Sequence, residues 1–212
     1  MTPSQREASA RQIPTVVKDQ ELVQRRRRQI ADAAVSLFLQ KGFHKTTTRE
    51  IAKSAGISIG SLYEYVQTKE DVLYLVCQAI HQEMEQSLQA HIAHGGSGAR
   101  ALESAIQAYI AACDGMGRHI TFIYQETKSL PAESKRYVLE HELRITGMFI
   151  GLLRRGVEDY SLRPLNRGEI ELMAHNIMVL GHMWAFRHWA LAGIGLAKYI
   201  EDQSALLMGQ LV

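Results

Sequence analysis

The sequence predicts an all-α protein with two domains. Apolar residues recur at spacings of three and four along most of the 212 residues, which is the pattern of amphipathic helices. Runs of β-branched residues are short, and no turn dipeptide separates alternating segments as a hairpin requires. We expect a small helical domain over residues 23–70 and a larger one over residues 71–212. A flexible arm over residues 1–22 is expected to precede them.

The composition is that of a globular protein, with 46% hydrophobic residues. No uninterrupted apolar run is long enough to cross a membrane, and the first residues lack the apolar core of a secretory signal. Cys77 and Cys113 are too few and too far apart for a disulfide framework or a CxxC metal site, so we interpret both as reduced core thiols. We expect a cytoplasmic protein without a cofactor or a metal.

Charge is unevenly distributed along the chain. Residues 1–70 carry 12 Lys and Arg against 7 Asp and Glu, a net charge of +5. Residues 71–212 carry 12 against 15, a net charge of −3. A basic N-terminal third favours binding to DNA, where cationic side chains release counterions from phosphates.

The first helix is predicted from the run of four arginines at residues 25–28 to about Lys41, and Gly42 ends it. Its apolar residues return every three or four positions, and these predict its buried face. Four consecutive arginines cannot share one face of a helix. We expect one or two of them to meet the phosphate backbone of DNA and the others to be solvated.

A capping box predicts the start of the next helix. Thr47 can accept a backbone N–H, and Glu50 can reach back to the cap. Gly56 predicts its end, because glycine enters the left-handed conformation at little cost. The glycine lies in a turn of about three residues before another short helix, and this spacing is typical of a helix-turn-helix.

Two more helices follow this turn. Ser58 can cap a helix over residues 59–65, and Thr68 with Asp71 can cap a long helix from Lys69 to about residue 94. The second helix of a helix-turn-helix normally enters the major groove of DNA. Leu62 is predicted to be core, whereas a tyrosine at position 63 can pack by its ring and reach a phosphate by its hydroxyl.

Gly60 lies early in the 59–65 helix. Glycine in a helix costs about 1 kcal/mol relative to alanine. That cost is understandable if another molecule must approach the backbone closely, as DNA would.

Many positions between residues 24 and 72 match one known pattern in both residue type and spacing. They are Gly42, Phe43, Thr47, Ile51, Ala52, Ala55, Gly56, Ile57, Ser58, Gly60, Ser61, Leu62, Tyr63, Tyr65, Lys69 and Glu70. In these residues the chain resembles the DNA-binding domain of the TetR family of transcriptional regulators. One departure is Val66, where the family usually has phenylalanine. Because valine is also apolar, the change affects core packing and leaves the resemblance intact.

The resemblance implies specific contacts with DNA. The positions at or near base edges are Arg49, Ile59, Ser61 and Tyr63. The positions at phosphates are Thr48, Ser58, Tyr65 and Lys69. Arginine bonded to guanine is the commonest specific pair, which makes Arg49 the first choice for a base contact. Replacing Lys69 by alanine is expected to weaken binding to all DNA alike.

Five further helices are predicted after a glycine-rich break at residues 95–98, over 99–114, 118–128, 131–160, 167–192 and 195–211, the last two forming a pair. Small residues recur on one stripe of the 167–192 helix, at Ala174, Gly181, Ala185 and Ala192. Such a stripe lets two helices approach closely. It fits either a dimer interface or a buried contact within the chain. In the TetR family the last two helices form the dimer, so the resemblance implies a homodimer that reads a palindromic operator.

Large or adaptable apolar groups and several polar ones in the C-terminal domain are candidates for a ligand pocket, namely Tyr109, Cys113, Phe122, Tyr124, Arg144, Met148, Phe149, His182, Trp184 and His188. Methionine suits a pocket that must accept a variable apolar ligand. An ordinary helical core would explain the same residues. His175 and His182 share a helix face, but no third ligand lies at metal spacing.

The segments FIYQETKSLPAESKR and GHMWAFRHWAL are similar to those of TetR regulators that control fatty-acid degradation and respond to acyl-CoA thioesters. This second resemblance implies a small hydrophobic effector, with arginine and histidine facing the phosphates of CoA. Two alternatives belong to other classes of protein: a helical enzyme acting on acyl thioesters, and an architectural DNA binder without an effector. No paired nucleophile and base supports the enzyme.

Overall fold

The computed structural model describes residues 13–91 and 96–212, and all the regular structure of these residues is helical, as predicted. None of the helices in these two ranges is long and apolar enough to span a membrane. The α-helices are α1 (Gln20–Lys41), α2 (Thr48–Ser54), α3 (Ile59–Tyr65), α4 (Lys69–His91), α5 (Gly98–Gly115), α6 (Gly117–Glu126), α7 (Ala132–Glu158), α8 (Arg167–Leu191) and α9 (Leu196–Met208).

The chain divides into two compact units. Unit 1 contains the described residues up to His81 together with Phe122–His141. Unit 2 contains the described residues of Gln82–Thr121 and Glu142–Val212. This division differs from the predicted boundary at residue 70, because α4, α6 and α7 each contribute residues to both units.

Helix α1 begins earlier than predicted, inside the expected flexible arm. Asp19 caps it by accepting the amide N–H of Leu22 at 3.0 Å, which favours a helix start at Gln20. Ile13 is only 4% exposed. Residues 13–22 are therefore an ordered part of unit 1, while the rest of the predicted arm lies outside the described residues. The buried face of α1 follows the helical period through Val23, Ile30, Ala31, Ala34 and Phe38.

Helices α2 and α3 have the ends that the sequence predicts. The amide of Glu50 donates to Thr47 Oγ1 at 3.3 Å, and the amide of Thr47 donates to Glu50 Oε2 at 2.9 Å, so the capping box is complete. Gly56 has a φ of 67°, the left-handed conformation that ends α2. The Ser58 hydroxyl accepts the amide of Ser61 at 3.0 Å and caps α3.

Helix α4 starts with the predicted pair of residues. Asp71 Oδ2 accepts the amides of Gln67 at 3.0 Å and Thr68 at 2.9 Å, and the Asp71 amide donates to Thr68 Oγ1 at 3.1 Å. These bonds satisfy donors that a helix start would otherwise leave without partners. The predicted end near residue 94 lies outside the described residues.

The core of unit 1 includes side chains from α6 and α7. Phe122 stacks on Phe38 of α1, with ring centroids 5.6 Å apart. Tyr137 of α7 lies 5.0 Å from Tyr74 of α4 by the same measure. The residues of α6 from Phe122 onward and those of α7 up to His141 thus belong to unit 1 together with α1.

In unit 2, α5 packs against α8 and α9. Gly181 of α8 marks the closest approach, because a Cβ there would lie 2.5 Å from the ring of Tyr109 and 2.8 Å from Cys113 Sγ. Asn166 begins α8 with a second capping box, in which its side chain accepts the amide of Glu169 at 3.0 Å. The core of unit 2 is therefore built on a close crossing of α5 and α8.

Candidate nucleic-acid interface

Helices α2 and α3 bury one side in unit 1 and expose the other. Ile51 and Leu62 have no exposed surface, which confirms Leu62 as a core residue. Tyr63 is 49% exposed and Ile59 is 37% exposed, while Arg49 lies on the exposed side of α2. The predicted base-contact residues are thus accessible to a partner, with Ser61 partly exposed beside them.

Thr48 and Tyr63 join the two helices at the exposed side. Their hydroxyl oxygens lie 3.1 Å apart and share one hydrogen bond, in which either group can be the donor. Each hydroxyl carries one hydrogen, so one of the two remains to donate to another acceptor. The pair can therefore present a fixed hydroxyl donor to a phosphate oxygen or a base edge.

The Ser58 hydroxyl can also accept one hydrogen bond and donate another. Its oxygen accepts the Ser61 amide as the cap of α3, and its own hydrogen is not used by that bond. The residue is exposed. A hydroxyl that is held in place by its capping bond is well suited to donate to a phosphate.

Among the described residues, nothing packs against Gly60 closely enough to require a glycine. A Cβ at this position would meet only the Ser58 hydroxyl, at 3.7 Å, which is an ordinary contact. The surface above the backbone is open. The structure is therefore compatible with the predicted reason for this glycine, the close approach of another molecule.

The phosphate contact predicted for Tyr65 is not supported by its position. Its side chain is only 4% exposed, and its ring packs in the core of unit 1. The 3.6-residue period of α3 turns position 65 to the same side as Leu62. This assignment is corrected: Tyr65 is a core residue.

The phosphate contact predicted for Lys69 stays a prediction, but its ammonium group already has partners within the protein. Its Nζ donates to three backbone carbonyls of the α1–α2 connection: Phe43 O at 3.1 Å, His44 O at 3.3 Å and Thr46 O at 3.1 Å. An ammonium group has three donors, and these carbonyls engage all of them. Nζ also lies 4.4 Å from the centroid of the Phe43 ring. Lys69 thus holds the α1–α2 connection onto the start of α4.

Arg27 has a role that sequence reasoning missed. Its Nε donates to Tyr65 O at 3.0 Å, and its terminal NH2 nitrogen donates to Ile13 O at 2.6 Å. Burial lowers the pKa of Arg27, while the nearby Asp71 and Tyr74 raise it. Arg25 and Arg28 are exposed. The spacing of the four arginines gave no signal for this contact, because its acceptors are distant in sequence.

The predicted ligand residues of unit 2 are only partly brought together. Tyr109 is fully buried, and its hydroxyl lies 3.0 Å from His182 Nε2 and 3.4 Å from Met178 O. Its ring meets that of Phe149 edge-on, with centroids 5.4 Å apart. Tyr109, Phe149 and His182, together with Cys113 beneath Gly181, form one buried cluster.

The remaining predicted ligand residues are more scattered. Trp184 is buried and donates from Nε1 to Asp114 Oδ1 at 2.7 Å. His188 is exposed and lies edge-on to Trp184, Arg144 is exposed, and Met148 is half-buried. Phe122 and Tyr124 belong to unit 1, where Phe122 packs on α1, so they are not part of the unit 2 cluster.

Comparison with known proteins agrees with this architecture. The family described as "Bacterial regulatory proteins, tetR family" matches residues 30–74. The chain is 32% identical to the HTH-type transcriptional regulator HbdR of Aromatoleum sp. (strain CIB) over 202 residues, which cover 95% of this chain and 87% of HbdR. The chain belongs to the TetR family. It is therefore a transcriptional regulator with an N-terminal helix-turn-helix and a C-terminal helical domain.

Two solved structures share the fold of this TetR-family regulator. One is AibR in complex with isovaleryl coenzyme A and operator DNA, at 16% identity and a TM-score of 0.70, covering 86% of this chain and 98% of AibR. The other is FadR from Bacillus subtilis in complex with stearoyl-CoA, at 21% identity and a TM-score of 0.69, covering 85% of this chain and 97% of FadR.

The small-residue stripe of the regulator packs within its own chain. Ala174 has no exposed surface, and Gly181 lies against α5. Ala185 is half-buried near Gly117, while Ala192 is exposed beyond the end of α8. Of the two explanations left open by the sequence, the intrachain contact applies to Ala174 and Gly181. These two residues are therefore corrected from dimer contacts to core contacts.

The two cysteines are free and buried, as predicted. Burial raises the pKa of Cys77 to about 12 and that of Cys113 to about 12. Both are therefore neutral thiols at physiological pH, with little nucleophilic character. Within the described ranges, no three side chains of the metal-binding types lie together.

Proposed function

We propose that this TetR-family regulator is a homodimeric repressor that an acyl-CoA-type effector releases from a palindromic operator. The observation that carries the DNA-binding part is the exposed side of α2 and α3. There, Arg49, Tyr63 and the open backbone at Gly60 occupy one accessible surface.

The proposed contacts follow from accessibility and hydrogen-bond capacity. Arg49, Ile59, Ser61 and Tyr63 are assigned to base edges, with Arg49 bonding guanine by its two-pronged guanidinium. Thr48 and Ser58 are assigned to phosphates, because each hydroxyl is held by a bond within the protein. Tyr65 is left out of this surface because its side chain is buried, and the phosphate contact of Lys69 stays a prediction.

The dimer is assigned to the exposed face of α8. Leu172 is 64% exposed, Val179 62% and Phe186 39%, and a spacing of seven residues places the three on one side of the helix. Leu206 of α9 is also 64% exposed. Apolar side chains that recur on one exposed helix face are typical of an interface. This face is opposite to the one that contains Ala174 and Gly181.

The acyl-CoA class of effector rests on two lines of support. The sequence resembles acyl-CoA-responsive regulators in two segments, and AibR and FadR, which share the fold, have been crystallised with acyl-CoA thioesters. Within unit 2 we assign the phosphates of CoA to two exposed basic groups, Arg144 and His188. We assign the acyl chain to the mostly buried residues, namely Tyr109, Cys113, Met148, Phe149, His182 and Trp184.

Three helices provide a route from effector to DNA. Helices α4, α6 and α7 each have residues in both units, so a displacement of one end is transmitted along a hydrogen-bonded rod. In unit 1, Phe122 of α6 stacks on α1, and Glu126 Oε2 lies 3.8 Å from Nε2 of His44 in the α1–α2 connection. The coupling needs only about 1–3 kcal/mol between effector and operator.

Fluorescence anisotropy tests this proposal. The full-length protein is titrated onto the intergenic DNA upstream of its own gene and onto scrambled DNA, across a salt series. Stearoyl-CoA or isovaleryl-CoA is then added, with free CoA and stearate as controls. We expect preferential binding to the upstream DNA that a thioester releases and the controls do not.

Three other results would contradict parts of the proposal. Specific DNA binding that no thioester weakens would contradict the proposed effector class. It would leave the proposed DNA-binding surface in place. Equal affinity for both DNAs at every salt concentration would contradict the assumption that the operator lies next to the gene. Release of free CoA thiol in the same mixtures, lost on mutation of the unit 2 cluster, would favour the enzymic alternative instead.

A further inference from the structure

The recognition helix α3 ends without a glycine cap: the amide of its C-cap residue Val66 donates to Leu62 O at 3.2 Å, and the carbonyls of Glu64 and Tyr65 need other donors. It contains 7 residues, and a helix of this length is marginal without tertiary support. The last carbonyls of any helix lack partners within the helix. A left-handed glycine often satisfies them, but α3 is followed by Val66 in an extended conformation, with φ −140° and ψ 151°.

Two side chains from elsewhere in unit 1 supply the missing donors. Thr15 Oγ1 donates to Glu64 O at 2.6 Å, and Arg27 Nε donates to Tyr65 O at 3.0 Å. Together they satisfy the last two carbonyls of α3. Neither donor belongs to α3 or to its neighbours in sequence, because the separations are 49 and 38 residues.

Arg27 also fixes the segment that contains Thr15, here called the N-terminal strap (residues 13–18). Its second donor bonds Ile13 O at 2.6 Å, and the Ile13 side chain is buried. The amide of Val17 donates to Thr15 Oγ1 at 3.2 Å, which orients the hydroxyl toward Glu64. A planar guanidinium can reach two carbonyls in a fixed geometry, and a lysine cannot reproduce that arrangement.

We propose that the N-terminal strap and Arg27 form a tertiary cap that fixes the recognition helix and thereby sets the sequence preference of DNA binding. The inference rests on the DNA contacts proposed for α3. Base readout needs its side chains held to within about 0.5 Å, and the capped carbonyls lie one and two residues after Tyr63. Thr15 and Arg27 are thus positioning residues, which act on DNA through α3.

Replacement of Thr15 tests the cap without a large change in shape. Thr15→Val removes the donor, whereas Thr15→Ser retains it. The probes are a duplex that the full-length wild-type protein selects from a random pool, and a scrambled duplex of equal length. Thr146→Val is the matched control, because it removes a hydroxyl that donates to Glu142 O at 3.0 Å inside α7.

We expect Thr15→Val to lose about 3- to 10-fold in affinity for the selected duplex, the effect of one hydrogen bond. Affinity for the scrambled duplex and the salt dependence should stay unchanged, because the phosphate contacts remain. Thr15→Ser and Thr146→Val should bind as the wild type does. Thermal unfolding followed by circular dichroism verifies that every variant is folded.

Three outcomes would overturn the inference. One is an unchanged ratio of selected to scrambled affinity in Thr15→Val. Another is an equal loss of affinity for both duplexes, which indicates a general weakening of the domain. The third is a Thr15→Ser variant as weak as Thr15→Val, since the hydroxyl would then be irrelevant. If the wild-type protein selected no duplex at all, the proposed DNA contacts would fall as well.

Discussion

At position 60 we expect the demands of folding and of DNA binding to oppose each other. We expect Gly60→Ala to raise the free energy of unfolding by about 0.5–1 kcal/mol, because alanine is the better helix former and the site has room for a Cβ. The same methyl group should weaken binding to the selected duplex by about tenfold or more, since a displaced base contact is worth 1–3 kcal/mol. Urea unfolding and anisotropy measure the two effects.

Gly147→Ala is the matched control for that substitution. Gly147 lies inside α7, and no atom of the described part of the chain would lie within 4 Å of a Cβ there. It should stabilise the protein by a similar amount and leave DNA affinity unchanged. Equal DNA affinity of Gly60→Ala and wild type would show that DNA does not approach the backbone of α3 at this point.

Lys69 is expected to matter for stability. We expect Lys69→Ala to lower the free energy of unfolding by about 1–3 kcal/mol, because three carbonyls of the α1–α2 connection lose their donor. Lys53→Ala, on the exposed side of α2, serves as the control and should change the free energy little. The salt dependence of DNA binding separates the two possible roles. A Lys69→Ala variant with unchanged stability and a salt slope reduced by about one would support the phosphate contact instead.

At the scale of the element, the capping box of α2 predicts a dependence of stability on pH. Hydrogen bonds from Lys41 and then from Thr47 lower the pKa of Glu50 from 4.5 to about 2. The folded state therefore favours the carboxylate. Its stabilising effect is fully present above pH 4.5 and is lost as the pH falls toward 2.

Glu50→Gln removes this dependence and gives the test. The melting temperature of the wild type should exceed that of the variant at pH 6, and the difference should shrink as the pH falls from 4.5 to 2. Glu103→Gln, at an exposed position of α5, is the control. A difference that stays constant over this range would contradict the role assigned to the carboxylate.

The limits of the short helices could be predicted from the sequence because their signals are local. Thr47 with Glu50, Ser58 before α3 and Asp71 in α4 each act within three or four residues. The roles of Lys69 and Arg27 could not be predicted, since their acceptor carbonyls lie 14 to 38 residues away. The ordered strap was missed for the same reason, because its bonds are to Arg27 of α1 and to Glu64 at the end of α3.

At the scale of the whole molecule, the partner of the small-residue stripe of α8 could not be predicted from the sequence. The spacing of the small residues correctly indicated a close helix crossing, but it did not indicate which helix packs against α8. The answer for Gly181 is α5 of the same chain. The family was predictable, because residues 24–72 combine many positions with fixed spacing, whereas the ligand residues were chosen by size and polarity, and two of them lie in unit 1.

The opposite face of α8 is where we expect the second copy of the chain to bind. Val179→Glu should convert the dimer to monomer, because a charge would be buried at an apolar contact. Light scattering after size-exclusion chromatography measures the change in mass. Leu143→Glu is the matched control, since Leu143 is an exposed leucine of α7. A dimer that survives Val179→Glu would place the interface elsewhere.

Selection of duplexes from a random pool by the full-length protein, with Arg49→Ala in parallel, tests sequence-specific readout by α2 and α3 most directly. The wild-type protein should enrich an inverted repeat whose half-sites are about 34 Å apart, one turn of DNA. Arg49→Ala should lose the preference for one guanine in each half-site and keep the remainder of the repeat. A wild-type pool without an enriched repeat, or an Arg49→Ala pool identical to it, would contradict the account.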